Sequence, residues 1–157
     1  MTVVGESTGS MGSEIRRFTD LDVWRKAHRL FVDLYSDMRS MRREAGSEEI
    51  ASQVLRCAGS VGANIAEGFN RSQKRFVNAL DIALGEANEA ESWLYKLRDA
   101  DLLEMEVATK RLRAIIEVQR MLTSLKRKIA ENADAVHESP AEYDAAPPAD
   151  PFTMNDE

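Results

Sequence analysis

Cys57-Ala58-Gly59-Ser60-Val61-Gly62-Ala63-Asn64-Ile65-Ala66-Glu67-Gly68-Phe69-Asn70-Arg71-Ser72-Gln73-Lys74-Arg75 is the stretch on which the fold turns. Its first half crowds Ala58, Gly59, Ser60, Gly62 and Ala63 around Val61 and Ile65. Each glycine in a helix interior costs about 1 kcal/mol relative to alanine, so this composition makes sense where another element closes in on the helix. The second half supplies a stop and a restart. Gly68 is suited to the left-handed conformation that ends helices. Asn70 with Gln73 resembles a capping box for the next helix. The stretch therefore predicts the central hairpin of a helical bundle, with no catalytic chemistry in it.

Upstream, Phe18-Thr19-Asp20-Leu21-Asp22-Val23 reads as a helix start, with Thr19 as cap, Asp22 three residues on, and Phe18 stapled to Val23. Trp24, Ala27, Phe31, Leu34, Met38 and Met41 then recur at three- and four-residue spacings, with Val23 and Leu30 widening the stripe. Arg39, Arg42 and Arg43 suit the negative end of that helix. Ala45-Gly46-Ser47 is a turn, Ser47 the cap of helix two, and Ile50, Val54, Ala58, Val61 and Ile65 its inner face.

Downstream, Phe76, Leu80, Ala83, Ala87, Ala90, Leu94 and Leu97 form an unbroken heptad seam that leaves no room for a strand. Helix four follows an Asp101–Glu104 cap and carries Ile115, Val118, Leu122, Leu125 and Ile129, fading by Asn132. Short turns between four such segments predict an all-α, up-down-up-down antiparallel four-helix bundle over residues 16–131. The Gly/Ser-rich segment 1–15 and the acidic segment 132–157, with Pro140, Pro147, Pro148 and Pro151, are expected to be disordered.

The formal net charge of −6 is unevenly placed. All 21 Lys and Arg lie between Arg16 and Lys128, whereas seven acids from Asp134 to Glu157 have no basic residue among them. The body is mildly basic and the tail acidic. One cysteine excludes a disulfide framework. There is no apolar run long enough for a membrane span, and the chain start lacks a signal-peptide layout. A cytoplasmic protein with no membrane partner is expected.

Chemistry-bearing residues are few. A di-iron bundle needs Glu-x-x-His pairs facing inward. His28 has no such glutamate and His137 falls in the tail, so no metal site, cofactor or catalytic residue is predicted. Cys57 lies one step from the inner face of helix two and is expected to pack as a small hydrophobe, with no base spaced to activate it. Glu67 is expected to accept hydrogen bonds at the helix 2–3 corner or to pair with Arg71.

The basic residues are more informative. Lys110, Arg111, Arg113, Arg120, Lys126, Arg127 and Lys128 face a single acid, Glu117. Arg113, Arg120 and Arg127 recur every seventh residue, about 160° from Ile115 and away from the core. Arg71, Lys74 and Arg75 form a second cluster. These eight candidates (Lys110, Arg113, Arg120, Arg127, Lys128, Arg71, Lys74 and Arg75) would neutralise phosphates of RNA or DNA without reading bases. No aromatic residue interleaves with them, so stacking on single strands is not expected. Ile82 and Trp93 share a flank of helix three and are candidates for a homo-oligomer interface.

With these elements placed, the sequence resembles the four helix bundle protein family, also described as 23S rRNA intervening-sequence proteins. The resemblance rests on Phe18 to Ala27, on Ser60 to Ser72 with its Asn64-Ile65-Ala66-Glu67-Gly68 string and Arg71, on Ile82 to Glu89, and on Arg120-Met121-Leu122. It implies a non-enzymatic bacterial four-helix bundle encoded in insertions within ribosomal RNA genes, with Asn64, Glu67, Gly68 and Arg71 as a structural motif. Relatives include accessory proteins of diversity-generating retroelements, which form pentameric barrels and bind nucleic acid and reverse transcriptase. A homo-oligomer, a pentamer among the candidates, and partners of nucleic acid or a reverse transcriptase are therefore implied. Arg75 stands where the family usually carries an acid, and Glu86 where a small polar residue is common.

Overall fold

The computed structural model describes residues 15–137; of the segments expected to be disordered, 1–14 and 138–157 lie outside them, whereas 132–137 are helical, the first proline coming only at Pro140. A short 3-10 turn, Phe18–Asp20, leads into four helices: α1 (Asp22–Asp37), α2 (Ser47–Gly68), α3 (Gln73–Asp99) and α4 (Met105–His137). No strand occurs among the described residues. The helices form a bundle in which α2 packs on α1 and α3, and α4 on α3 and α1. Helix α4 continues to His137, past the Asn132 where its apolar pattern fades.

The heptad of α3 faces inward as its spacing requires: Leu80, Ala83, Ala87, Ala90, Leu94 and Leu97 are all buried, with Phe76 packed against them. Its alanines let α2 and α4 approach, and Val54, Val61, Ile65, Ile115, Val118 and Leu122 fill the space. On α1 the buried line is Val23, Ala27, Leu30 and Leu34. Trp24 and Phe31, expected on the seam, lie half-buried on its flank, against the small residues of α2. The nearest Phe31 carbon would be 3.4 Å from a Cβ at Gly59, and the Trp24 indole nitrogen 3.6 Å from one at Gly62. The small-residue run is thus explained by two large rings seated on it.

Several local expectations are corrected. Thr19 does not cap α1. Instead the Asp20 carboxylate accepts the backbone N–H groups of Arg17 at 2.9 Å and Arg16 at 3.0 Å. These bonds, Arg17's first, hold its carboxyl below the usual range. Phe18 meets Trp24 edge to face at 5.1 Å in place of a staple to Val23. Helix α1 ends at Asp37, so Arg39, Arg42 and Arg43 lie beyond it and do not meet its dipole within the last turn. Arg42 pairs with Glu44 at 2.7 Å, Arg43 with Glu48 at 2.8 Å, and the Arg42 N–H donates to the Leu102 carbonyl at 3.0 Å. This last bond ties the α1–α2 connection to the α3–α4 connection.

Ser47 is the first residue of α2, not its cap. Its buried hydroxyl accepts the Glu44 N–H at 3.1 Å, and Gly46 precedes it at φ +80°, which glycine tolerates without strain. At the other end of α2, the left-handed residue is Asn70 (φ 64°), not Gly68. Gly68 is needed for a different reason, because α3 passes so close that a Cβ there would lie 2.4 Å from that of Ala79. The cap of α3 is Ser72, without a side-chain bond, in place of Asn70 with Gln73. The Gln73 amide reaches across to the Ile129 carbonyl of α4.

Candidate nucleic-acid interface

The corner where α2 gives way to α3 is a cleft of about 600 Å³. Helix α2 contributes Asn64, Glu67 and Gly68, the connection Arg71 and Ser72, and α3 Lys74, Arg75, Asn78, Ala79 and Ile82. The close Gly68–Ala79 approach forms its floor, and Phe69 and Phe76, edge to face at 6.2 Å, brace the turn behind it. The motif residues Asn64, Glu67, Gly68 and Arg71 and the cations Lys74 and Arg75 are thereby brought together, with Ile82 at the rim. Arg71, Lys74 and Arg75 form no ion pair among the described residues, and Glu67 does not pair with Arg71 as expected. Asn64 donates to the Ser60 carbonyl at 2.8 Å, one turn back on its own helix. The first turn of α3 holds no acid, and its backbone N–H groups lack a side-chain cap, so the corner is electropositive from both side chains and backbone.

The second candidate surface, the exterior of α4, is thinner than the sequence implies. Arg111 is not part of it. This residue turns inward and is bound by Asp37 (2.6 Å) and Asp33 (2.8 Å) of α1. Lys126 pairs with Asp81 at 2.6 Å, Arg127 with Glu131 at 3.6 Å, and Glu117, the acid expected to stand alone among these cations, with Lys26 of α1. Lys110, Arg113, Arg120 and Lys128 remain exposed. Arg120 and Arg127 border a groove of about 500 Å³ between α3 and α4, opposite the corner across α3.

Ile82 and Trp93 do not form one continuous apolar strip. Ile82 is 47% exposed, whereas Trp93 packs partly against the core beneath the Lys96 ammonium, 3.9 Å from the ring centre. Between them lie Glu86 and Glu89, which with Arg56 and Cys57 of α2 make a polar cluster that spacing along the chain did not reveal. Glu89 accepts the Arg56 guanidinium at 2.6 Å and the Trp93 indole N–H at 3.3 Å. Arg56 also lies 3.5 Å from Glu86 and 3.3 Å from the Cys57 sulfur. Cys57, Glu86 and Glu89 have donor atoms within 4.8 Å of one another, and the cation among them is Arg56.

Burial, followed by the hydrogen bond to Glu89, pushes the Cys57 thiol up to about 12. Reciprocally, that bond, then those from Trp93 and Arg56, lowers Glu89. Cys57 therefore packs as a protonated group and is not a nucleophile. The folded-state thiol value lies above its ordinary 9.0, so its contribution to stability is complete below pH 9 and is lost as pH rises toward 12. The native protein at pH 8 is expected to leave a disulfide-exchange chromophore unreacted, and to release one equivalent once unfolded in guanidinium. Rapid reaction of the native form would contradict this burial.

Against known proteins, a family model described as 23S rRNA-intervening sequence protein matches residues 19–124. Among solved structures, a protein of unknown function from the S23 ribosomal protein family of Bacteroides thetaiotaomicron is similar, at 29% identity and a TM-score of 0.59. The match covers 66% of this chain and 97% of that one. A comparison with curated proteins finds no match.

Proposed function

The chain belongs to the 23S rRNA-intervening sequence protein family, and from that premise we propose that it is a non-enzymatic, oligomeric bundle that binds RNA or DNA by backbone charge. The observation that carries this reading is the corner cleft, where Arg71, Lys74 and Arg75 converge without an ion-pair partner among the described residues. Cations not engaged with a carboxylate are free to neutralise phosphates and release the counterions condensed on the nucleic acid. The exposed Arg113, Arg120 and Lys128 supply a second, sparser contact line, and the two surfaces flank α3 on opposite sides. An up-down-up-down course of the helices is supported by the bonds that join the two connections at one end and Gln73 to Ile129 at the other. Ring assembly, a pentamer included, would repeat the corner charge and raise the local potential.

A gel-shift titration against structured RNA and duplex DNA at several salt concentrations tests the reading. Affinity should fall steeply with salt. Arg71, Lys74 and Arg75 changed together to Gln should weaken binding and lower the log–log salt slope by about 3. Arg113, Arg120 and Arg127 changed to Ala should have a smaller effect, since Arg127 is already paired. Full affinity in both triple variants would remove the proposal.

One observation favours a second reading, docking on a protein such as a reverse transcriptase. An apolar groove of about 450 Å³ runs between α1 and α2, walled by Trp24, His28 and Phe31. Exposed Tyr35 stands one turn beyond Phe31. Salt-insensitive, nucleic-acid-free complex formation would support that alternative.

A further inference from the structure

We propose that the acidic C-terminal segment 138–157 docks, within its own chain, in the basic cleft at the α2–α3 corner. Three observations point there. The first is charge. Glu138, Glu142, Asp144, Asp150, Asp156 and Glu157 make this segment −6 without one Lys or Arg, so it equals the net charge of the whole chain. The second is origin. The Gln73 side chain bonds the Ile129 carbonyl, which places the last turns of α4 beside the start of α3, where Lys74 and Arg75 project. From Ile129 to His137 the helix advances only about 12 Å. The remaining twenty residues span up to about 70 Å when extended, ample to turn back to the cleft.

The third is the state of the receptor. Arg71, Lys74 and Arg75 are unpaired among the described residues and converge on a concavity, with Asn78, Ser72 and the uncapped start of α3 as further donors. The α4 exterior is a poorer receptor. Arg120 and Arg127 border its groove, but Arg127 already holds Glu131 and Lys126 holds Asp81, which leaves Arg120 as the groove's unpaired cation among the described residues. Glu67 is the acid within the cleft, so the corner keeps an excess of two positive charges for the tail. A tethered segment acts at millimolar effective concentration, which compensates for the weakness of each solvent-exposed ion pair. The consequence for nucleic acid rests on the function proposed above: the tail would occupy the corner until a polyanion of higher charge density displaces it.

The docking itself can be tested without nucleic acid. A nitroxide attached at Ala149→Cys in the full chain serves as probe, since the buried, protonated Cys57 does not label. Backbone amides of residues 71–78 should broaden, and recover when the six tail acids are changed to Gln and Asn. Recovery should also follow Arg71→Gln, Lys74→Gln and Arg75→Gln made together. Absent broadening at the corner, or broadening centred on residues 113–127, would overturn the proposal. So would broadening seen only when spin-labelled protein is mixed with a separately isotope-labelled copy, because the tail would then reach a neighbour. In the gel shift, the tail-neutralised chain should bind structured RNA about tenfold more tightly at low salt. Corner broadening in a protein that binds no nucleic acid would overturn the proposed function and leave the docking standing. Unchanged RNA affinity after tail neutralisation would overturn the competition.

Discussion

Gly68→Ala is expected to destabilise the protein by about 2 kcal/mol, lowering the melting temperature by roughly 8 °C. The added methyl would lie 2.4 Å from the Cβ of Ala79 and 3.0 Å from the Phe76 ring. Ala79 cannot yield by rotating a flexible chain end, because its Cβ moves only with its backbone. Helices α2 and α3 would have to part, and this is the most extensive helix contact in the bundle. That cost opposes a helix-propensity gain of up to about 1 kcal/mol, and overpacking prevails because interiors are packed as densely as crystals. Two companions set the sign. Gly85→Ala, with nothing within 4 Å of the new atom, should stabilise by about 0.5–1 kcal/mol. Ala79→Gly made together with Gly68→Ala should recover most of the loss, a coupling that thermal or urea unfolding reads directly. If Gly68→Ala alone melts like the parent, close approach is not what glycine provides at the corner.

The second large effect is expected at Arg111. Its guanidinium lies at the α1–α4 contact, with the side chain 11% exposed, donating to Asp37 through Nε (2.6 Å) and Nη2 (3.2 Å) and to Asp33 through Nη1 (2.8 Å). Asp37 is itself largely buried. The hydrogen bond to Asp37 raises the Arg111 value further, so the cation persists at every pH at which the protein folds. Arg111→Ala leaves two carboxylates facing each other without a counter-charge, which should cost about 3–5 kcal/mol. Replacing all three, with Arg111→Met, Asp33→Leu and Asp37→Leu, should cost far less or nothing, because desolvating the ions offsets most of their attraction. Lys126→Ala, which breaks the more exposed pair with Asp81, should cost below about 1 kcal/mol. Chemical denaturation of the four proteins separates the cases. A small effect of Arg111→Ala would mean that water reaches the pair freely.

These two residues also mark how far the chain could be read before its fold was known. Gly68 stands out in sequence as a helix stop, and α2 does end there, but its neighbour Asn70 takes the left-handed turn. Arg111 reads as one more cation on a basic helix face. Its offset of about 100° around the helix from Lys110 and about 160° from Arg113 places it on the side facing α1, yet nothing in the spacing of α4 indicates which face α1 will cover. The corner cations were legible as a cluster, since Arg71, Lys74 and Arg75 are near neighbours along the chain. Their convergence with Asn64 and Glu67 on one cleft was not.

By itself the sequence determined the elements: helices and no strands, three turns, and the inward seam of α3. A heptad is a local property, and seven apolar positions at alternating four- and three-residue steps leave one helical solution. Only the tertiary structure decided which seam line of α1 is buried, why Gly68 must be glycine, and that Arg111 belongs to the interior. It also decided that Arg56, Cys57, Glu86 and Glu89 meet. Each of these depends on the rotation of one helix about its axis relative to another. That rotation is set by the summed packing of residues distant in the chain, which periodicity within any one segment does not contain.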